Sequence, residues 1–462
     1  MKKTFVIEKA VSKNINIKNE DNIPDEFGGD SVIRNMAAGG KKQDIDAEMD
    51  LSCLAEGMIV PADFEKTGLN LNELIVGSTG SGKSLSNAYS RLLHTKKSSV
   101  VVTLTKKDIK DKFSEMFEGR DYEVIDLDFA RPENSKQGFD PLSFIHSDDD
   151  VLKVARPLAR AAGDNPDPYW LECATSMIAA EIGFIKYQAE LYKTKKYTFA
   201  DVINFHRALV IDYRSQLAKT NFDEEFEKME KHKPGNQASQ MWRTVKNLSA
   251  KTFSCIYSQA NSAFDKVFSN KVIEMIKKPE SVSFRNLGKK KTALFITTSP
   301  SNRNLTSYVN YMYSILFDEL FVSAMESENG CLDVPVHIIC DDFACGCPID
   351  RFEDYISVFR AAGISVSILL QSETQLAAMY GNYAATTIIN NCDTYIFLGG
   401  MDIGTCKNIA ARSNKTLEEV LKLPMEQVMV FRRGCEPIQA RRYQTLKDPL
   451  YQELAGRSRE GL

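Results

Sequence analysis

The amino-acid sequence predicts an α/β protein with a parallel-rich central sheet, interrupted by an all-α domain. Two observations carry the prediction. Short, continuous apolar runs occur early and late in the chain, each with the length and β-branched texture of a strand buried on both faces. Between them, from about residue 146 to 285, apolar residues recur instead at helical spacing. Strand–helix alternation on both sides of a helical block implies one α/β domain carrying an insertion.

Taken in order, residues 1–57 are polar, with glycine pairs at 28–29 and 39–40 and an acidic stretch at 20–26, and read as a partly disordered N-terminal arm. Met58–Val60 and Leu74-Ile75-Val76 are short strands, and Ser98–Leu104 and Tyr122–Phe129 are longer ones. Helical spacing follows in Val151–Ala162, Tyr169–Tyr192, Phe199–Leu217 and Val245–Ile276. Strands resume at Thr292–Thr297, His337–Cys340, Ile364–Gln371 and Thr394–Leu398, and the pair Val428–Arg432 and Pro437–Arg442 closes the sheet. The expected organisation is 58–145 plus 286–462 as the α/β domain and 146–285 as the all-α insertion.

Composition excludes several classes. The chain has 462 residues, is 43% hydrophobic and 26% charged, and is too apolar for a disordered or collagen-like protein. Lys plus Arg number 58 and Asp plus Glu 62, a net charge of −4, so it is not a globally basic nucleic-acid binder, although a local basic channel remains compatible. The ten cysteines lie scattered in apolar segments and read as reduced thiols; Cys345-Gly-Cys347 lacks the paired spacing of a zinc site. No run reaches the roughly 18 apolar residues of a membrane helix. The expected location is therefore cytoplasmic, with any recruitment to the inner face of the membrane made through a partner.

The strongest motif is Gly77-Ser78-Thr79-Gly80-Ser81-Gly82-Lys83-Ser84, a full G-x-x-x-x-G-K-[ST] between a strand and a helical pattern. Glycines let backbone N–H groups converge on phosphate oxygens, and the helix N-terminus adds partial positive charge. Lys83 is expected to reach the β- and γ-phosphates and Ser84 to ligate Mg²⁺. Such a loop needs a carboxylate at another strand end. Val336–Asp342 supplies Asp341, which would hold Mg²⁺, and Asp342, which would polarise the attacking water. Gln371 ends the strand Ile364–Leu370, where its amide can sense the γ-phosphate, and Arg360 precedes that strand, where it could serve a neighbouring subunit. Thr105-Lys106-Lys107-Asp108 matches a guanine-reading motif but follows the loop too closely, so ATP is favoured.

Together with GFDPLSFI (138–145), DPYWLECATSMIAAEI (167–182), IICDDF, FRAAGISVSILLQSETQLAAMYG (359–381) and TIINNCDTYIFLGGMD (387–402), these segments resemble the TraG-type type IV coupling proteins, conjugative ATPases of the wider FtsK/HerA group. The resemblance implies a RecA-like nucleotide-binding domain and a hexameric ring around DNA. It further implies delivery of a relaxase-bound strand to a type IV secretion channel, beside that channel's ATPase or membrane subunit. Lys83, Ser84, Asp341 and Gln371 fall on the family's ATP-site positions and Arg360 on its arginine-finger position. The chain departs from the family in lacking transmembrane helices, in carrying Asp342 where Glu is usual, and in having Leu104 or Thr105 where an acid is usual.

DNA contacts need cations gathered on one surface. Lys228, Lys231, Lys233, Arg243, Lys246 and Lys251 cluster in the insertion with Gln240 and Trp242 among them, a composition suited to sequence-independent entry of single strands or duplex. Three activities follow as expectations: an ATP-driven DNA translocase, a nucleotide-gated recruiting adaptor with little hydrolysis, and a protein-secretion ATPase acting without DNA. The chain alone is compatible with a monomer in isolation.

Overall fold

Glu73–Val76 is wholly buried, and consecutive side chains of such a strand point to opposite faces, so both faces must be covered. In the computed structural model, which describes residues 49–104, 107–163, 167–299 and 302–460, they are. Thirteen strands are numbered in chain order: β1 Leu51–Ala55, β2 Met58–Pro61, β3 Glu73–Val76, β4 Ser99–Leu104, β5 Glu123–Asp128, β6 Ile211–Asp212, β7 Lys219–Thr220, β8 Thr292–Thr297, β9 Val336–Cys340, β10 Ile364–Leu370, β11 Thr394–Phe397, β12 Gln427–Arg432 and β13 Ile438–Arg441. Nine of them form the central sheet in the order β13-β12-β11-β3-β10-β9-β4-β8-β5. From β11 to β5 all neighbours are parallel, whereas β12 is antiparallel to both β11 and β13.

On one face Ile75, Val100, Val102, Ile339 and Leu369 meet Leu92, Leu93, Phe113, Phe117 and Leu454. On the other, Leu74, Val76, Val101, Ile338 and Ile368 belong to a core that continues without interruption into the helices at 150–276. The junction between the two is aromatic. Phe144 stacks on Phe284 with ring centroids 4.9 Å apart, and the buried hydroxyl of Tyr308 donates to the Phe139 carbonyl at 2.6 Å. Tyr308, Tyr311, Met312, Ile315 and Phe317 are all core residues of the helix Arg303–Glu326, as their spacing predicts.

Three expectations are corrected. The polar arm does not extend to residue 57: Leu51–Ala55 is a buried strand paired antiparallel with β2, and Leu51 N–H donates to the His94 carbonyl at 3.2 Å. The apolar LSCLA run outweighs its polar flank. The helix expected over Phe199–Leu217 stops at Arg207, and β6 and β7 form a small hairpin within the block expected to be wholly helical. Asn221 imposes that break, accepting from Val210 N–H at 2.8 Å and donating to the Ala208 carbonyl at 2.9 Å. The segment Val245–Ile276 is divided among Gln237–Lys246, Ala250–Val267 and Asn270–Ile276, because Ser249 and Ser269 accept backbone N–H groups as N-caps. Residues 1–48 of the arm, and Thr105 and Lys106, lie outside the described residues.

Candidate nucleotide site

The parallel strands all point their C-terminal ends to one edge, and the strand order brings three sequence-distant tips together there. Leu370 pairs with Val76, so Gln371 lies beside Gly77, and Ile368 pairs with Cys340, so Asp341 follows on the next strand. Gly77 N–H donates to the Leu370 carbonyl at 3.1 Å, and Ser78 N–H to the Gly399 carbonyl beyond β11 at 3.0 Å.

The loop's glycines have separate duties. Gly80 and Gly82 take φ of 79° and 87°, a region that penalises any Cβ. Gly77 has ordinary φ, but a Cβ there would stand 3.0 Å from Leu398 Cβ and 2.6 Å from Ser81 Oγ. After Gly82 the chain winds as a π-helix over Ser84–Tyr89 and continues as an α-helix over Ser90–Leu93. Thr79 and Ser81 lie in the intervening turn.

Lys83 is buried, and its Nζ donates to the Gly77 carbonyl at 2.6 Å and the Ser78 carbonyl at 3.1 Å. Burial lowers its pKa, opposed by Asp341 and Asp342 nearby. Ser84 Oγ donates to Asp341 Oδ2 at 2.7 Å. Burial raises the Asp341 pKa, while the Ser84 hydrogen bond works against the rise. A hydroxyl and a desolvated carboxylate this close form an all-oxygen pair that fits a hard divalent cation such as Mg²⁺.

Asp342 has φ of 52°, and its N–H donates to Asp341 Oδ1 at 3.1 Å. That left-handed turn, tolerated by Asp better than by most residues, leaves its side chain exposed beside the loop. Gln371 is exposed as well. Arg360 stands apart. It occupies the last turn of the helix Phe352–Ala362, ahead of β10, and so lies at the opposite edge of the sheet, about 20 Å away at the rise of a β-strand.

The basic set of the insertion is largely neutralised. Lys228 pairs with Glu225 at 2.7 Å, Lys233 with Glu190 at 3.8 Å, Arg243 with Glu230 at 3.8 Å and Lys246 with Asp223 at 3.5 Å. Among the described residues only Lys231 and Lys251 of the six lack an ion pair. Trp242, expected at that surface, is 2% exposed: its ring stacks on Phe226 and its Nε1–H donates to Asp223 at 3.1 Å. It is a core residue, not a base-stacking platform.

A sequence profile described as type IV secretory system conjugative DNA transfer matches residues 33–417. The chain belongs to that family. As a member it is a P-loop ATPase of conjugative DNA transfer, associated with type IV secretion. None of the curated proteins matches it. Its fold is similar to that of the plasmid coupling protein TrwB in complex with a non-hydrolysable ATP analogue, with 19% identity, a TM-score of 0.64 and coverage of 89% of this chain and 91% of that one. The unbound bacterial conjugative coupling protein TrwBdeltaN70 gives 20%, 0.58, 89% and 90%. VirB4 of Thermoanaerobacter pseudethanolicus gives 11%, 0.52, 87% and 98%. These likenesses establish the α/β P-loop fold. Among the described residues no helix is long and apolar enough to cross a membrane.

Proposed function

We propose that this family member is an ATP-driven motor that forms a homo-hexameric ring on DNA and moves relaxase-bound DNA to a type IV secretion channel. The supporting observation is a separation: Lys83, Ser84, Asp341, Asp342 and Gln371 share one sheet edge, whereas Arg360 stands at the other. Lys83 is the phosphate ligand of the loop itself, and an adjacent copy presenting Arg360 would add a cation for the charge that develops in the transition state. Ser84 and Asp341 would hold Mg²⁺, which neutralises phosphate charge when bound. Lys83 binds the β- and γ-phosphates, Asp342 orients the attacking water, and Gln371 senses the γ-phosphate. The complex of the TrwB relative with a non-hydrolysable ATP analogue accords with this assignment. Recruitment to the inner face of the membrane runs through a partner subunit.

The test is ATP turnover over a range of protein concentrations, with and without single-stranded and duplex DNA, beside Lys83→Ala and Arg360→Ala. A rate per subunit that rises with concentration and DNA, and is lost in both variants, is expected. Concentration-independent turnover untouched by Arg360→Ala would sink the ring.

The ion pairing of Lys228, Lys233, Arg243 and Lys246 favours a second reading, a nucleotide-gated recruiting adaptor whose insertion contacts protein instead of DNA. It predicts flat, near-zero turnover despite tight ATP binding, and normal partner binding by Asp342→Asn.

A further inference from the structure

Strand β13 is antiparallel to β12, which is antiparallel to β11, so β13 runs in the same direction as β3. The residue just past its end, Arg442, therefore emerges at the nucleotide edge. Its backbone N–H is fixed to the Glu426 carbonyl at 2.7 Å, and its guanidinium lies over the phosphate loop, where Nη1 donates to the Ser81 carbonyl. A Cβ added to Gly82 would stand 2.6 Å from that Nη1 and 3.2 Å from Cζ. The φ of 87° is what requires glycine at position 82, and a side chain there would also push the guanidinium aside.

The chain beyond Arg442 follows the helix that the loop opens. Thr445 Oγ1 donates to the Leu85 carbonyl at 2.5 Å, one residue past Ser84. Further along, the buried Asp448 carboxylate meets His94 Nε2 at 2.9 Å and accepts from the Tyr443 hydroxyl at 2.5 Å. Three fastenings, at Ser81, Leu85 and His94, hold this strap along the loop helix from its start to its C-terminal cap and set where the guanidinium lies.

A guanidinium carries five N–H donors in a fork suited to phosphate oxygens. One of Arg442's is directed to Ser81, and among the described residues no carboxylate pairs with its charge. We propose that Arg442 is a second cationic ligand of the nucleotide's phosphates, supplied in cis by the C-terminal strap beside Lys83. Nucleotide occupancy is thereby tied to the segment 442–460. This rests on the reading of Gly77–Ser84 as the ATP site.

Equilibrium binding of ATP, ADP and adenosine, read by displacement of a fluorescent nucleotide, tests it on the full chain with Arg442→Ala, Arg442→Lys, Thr445→Val and Lys83→Ala. Loss of one charge-assisted contact to phosphate is expected to weaken ATP and ADP about ten- to a hundredfold in Arg442→Ala, with adenosine unchanged. Arg442→Lys should recover part of the loss. Thr445→Val loosens the strap without removing charge and should weaken phosphate binding less than Arg442→Ala does. Native ATP and ADP affinity in a folded Arg442→Ala, beside lost affinity in Lys83→Ala, would overturn the proposal alone and leave Arg442 a structural fastener. Equal weakening of adenosine would also overturn it, since a phosphate ligand discriminates. A native chain that binds no nucleotide would remove the underlying reading too.

Discussion

The nucleotide edge and the basic face of the insertion are both sets of polar residues singled out by type and spacing, and they end differently. At the edge, Lys83, Ser84, Asp341 and Gln371 come from three strands whose order places their tips side by side. On the insertion, most of the chosen cations turn toward Asp223, Glu225, Glu230 and Glu190, and Trp242 turns inward. A strand tip at the C-terminal edge of a parallel sheet has few directions open to it. A cation on a helix pairs with whatever its neighbours present three or four residues on, or across a helix contact.

The sharpest way to break this contrast is Lys83→Ala. It should reduce ATP turnover by about a hundredfold or more, with secondary structure by circular dichroism unchanged. A variant retaining most of its turnover would mean that the edge residues are as passive as the helix surface.

Next in size is Trp242→Ala, expected to destabilise the fold by about 3–5 kcal/mol in denaturant unfolding. DNA affinity measured on the folded fraction should not change. A selective loss of DNA binding with full stability would return Trp242 to the surface role its sequence neighbourhood implied.

The His94–Asp448 pair gives a smaller, pH-dependent effect. Burial opposes charge on His94, but Cys53 and Asp448 beside it outweigh burial and push its pKa up to about 10 from the usual 6.5. Because the folded value is the higher one, its stabilisation is complete below pH 6.5 and is lost as pH climbs towards 10. Asp448 is held below the usual carboxylate value: burial alone would raise it, but the His94 hydrogen bond and charge overcome that. Its share is lost only in acid, as pH falls below the usual carboxylate range. The Tm gap between native protein and His94→Gln should therefore narrow between pH 6 and pH 10. An unchanged gap would show that the pair carries no net stabilisation.

Least change is expected from Lys228→Ala, whose exposed partner is Glu225. DNA affinity at moderate salt should stay within about twofold, while Lys231→Ala with Lys251→Ala should lower both affinity and its salt dependence. The reverse ranking would mean that DNA strips the carboxylates away on binding.

These outcomes bear on what the sequence could reveal. The octapeptide Gly77–Ser84 was legible because each position answers to a local demand, such as φ at Gly80 and Gly82. Asp341 and Gln371 could be proposed as strand ends, but their adjacency to Gly77 follows from β10 lying between β3 and β9, a long-range fact that no spacing encodes. Arg442 gave no signal, because its importance comes from β13 running with β3 and from the space above Gly82. The strand Leu51–Ala55 was lost in the polar texture around it, and Asn221 ends a helix from fourteen residues downstream of Arg207.

The aromatic junction of Phe139, Phe144, Phe284 and Tyr308 has a thermal consequence. The helix Arg303–Glu326 packs against both the sheet and the inserted helices, and no solvent layer divides the one core they share. Sheet and insertion share one buried core, so heat should melt them together in one transition.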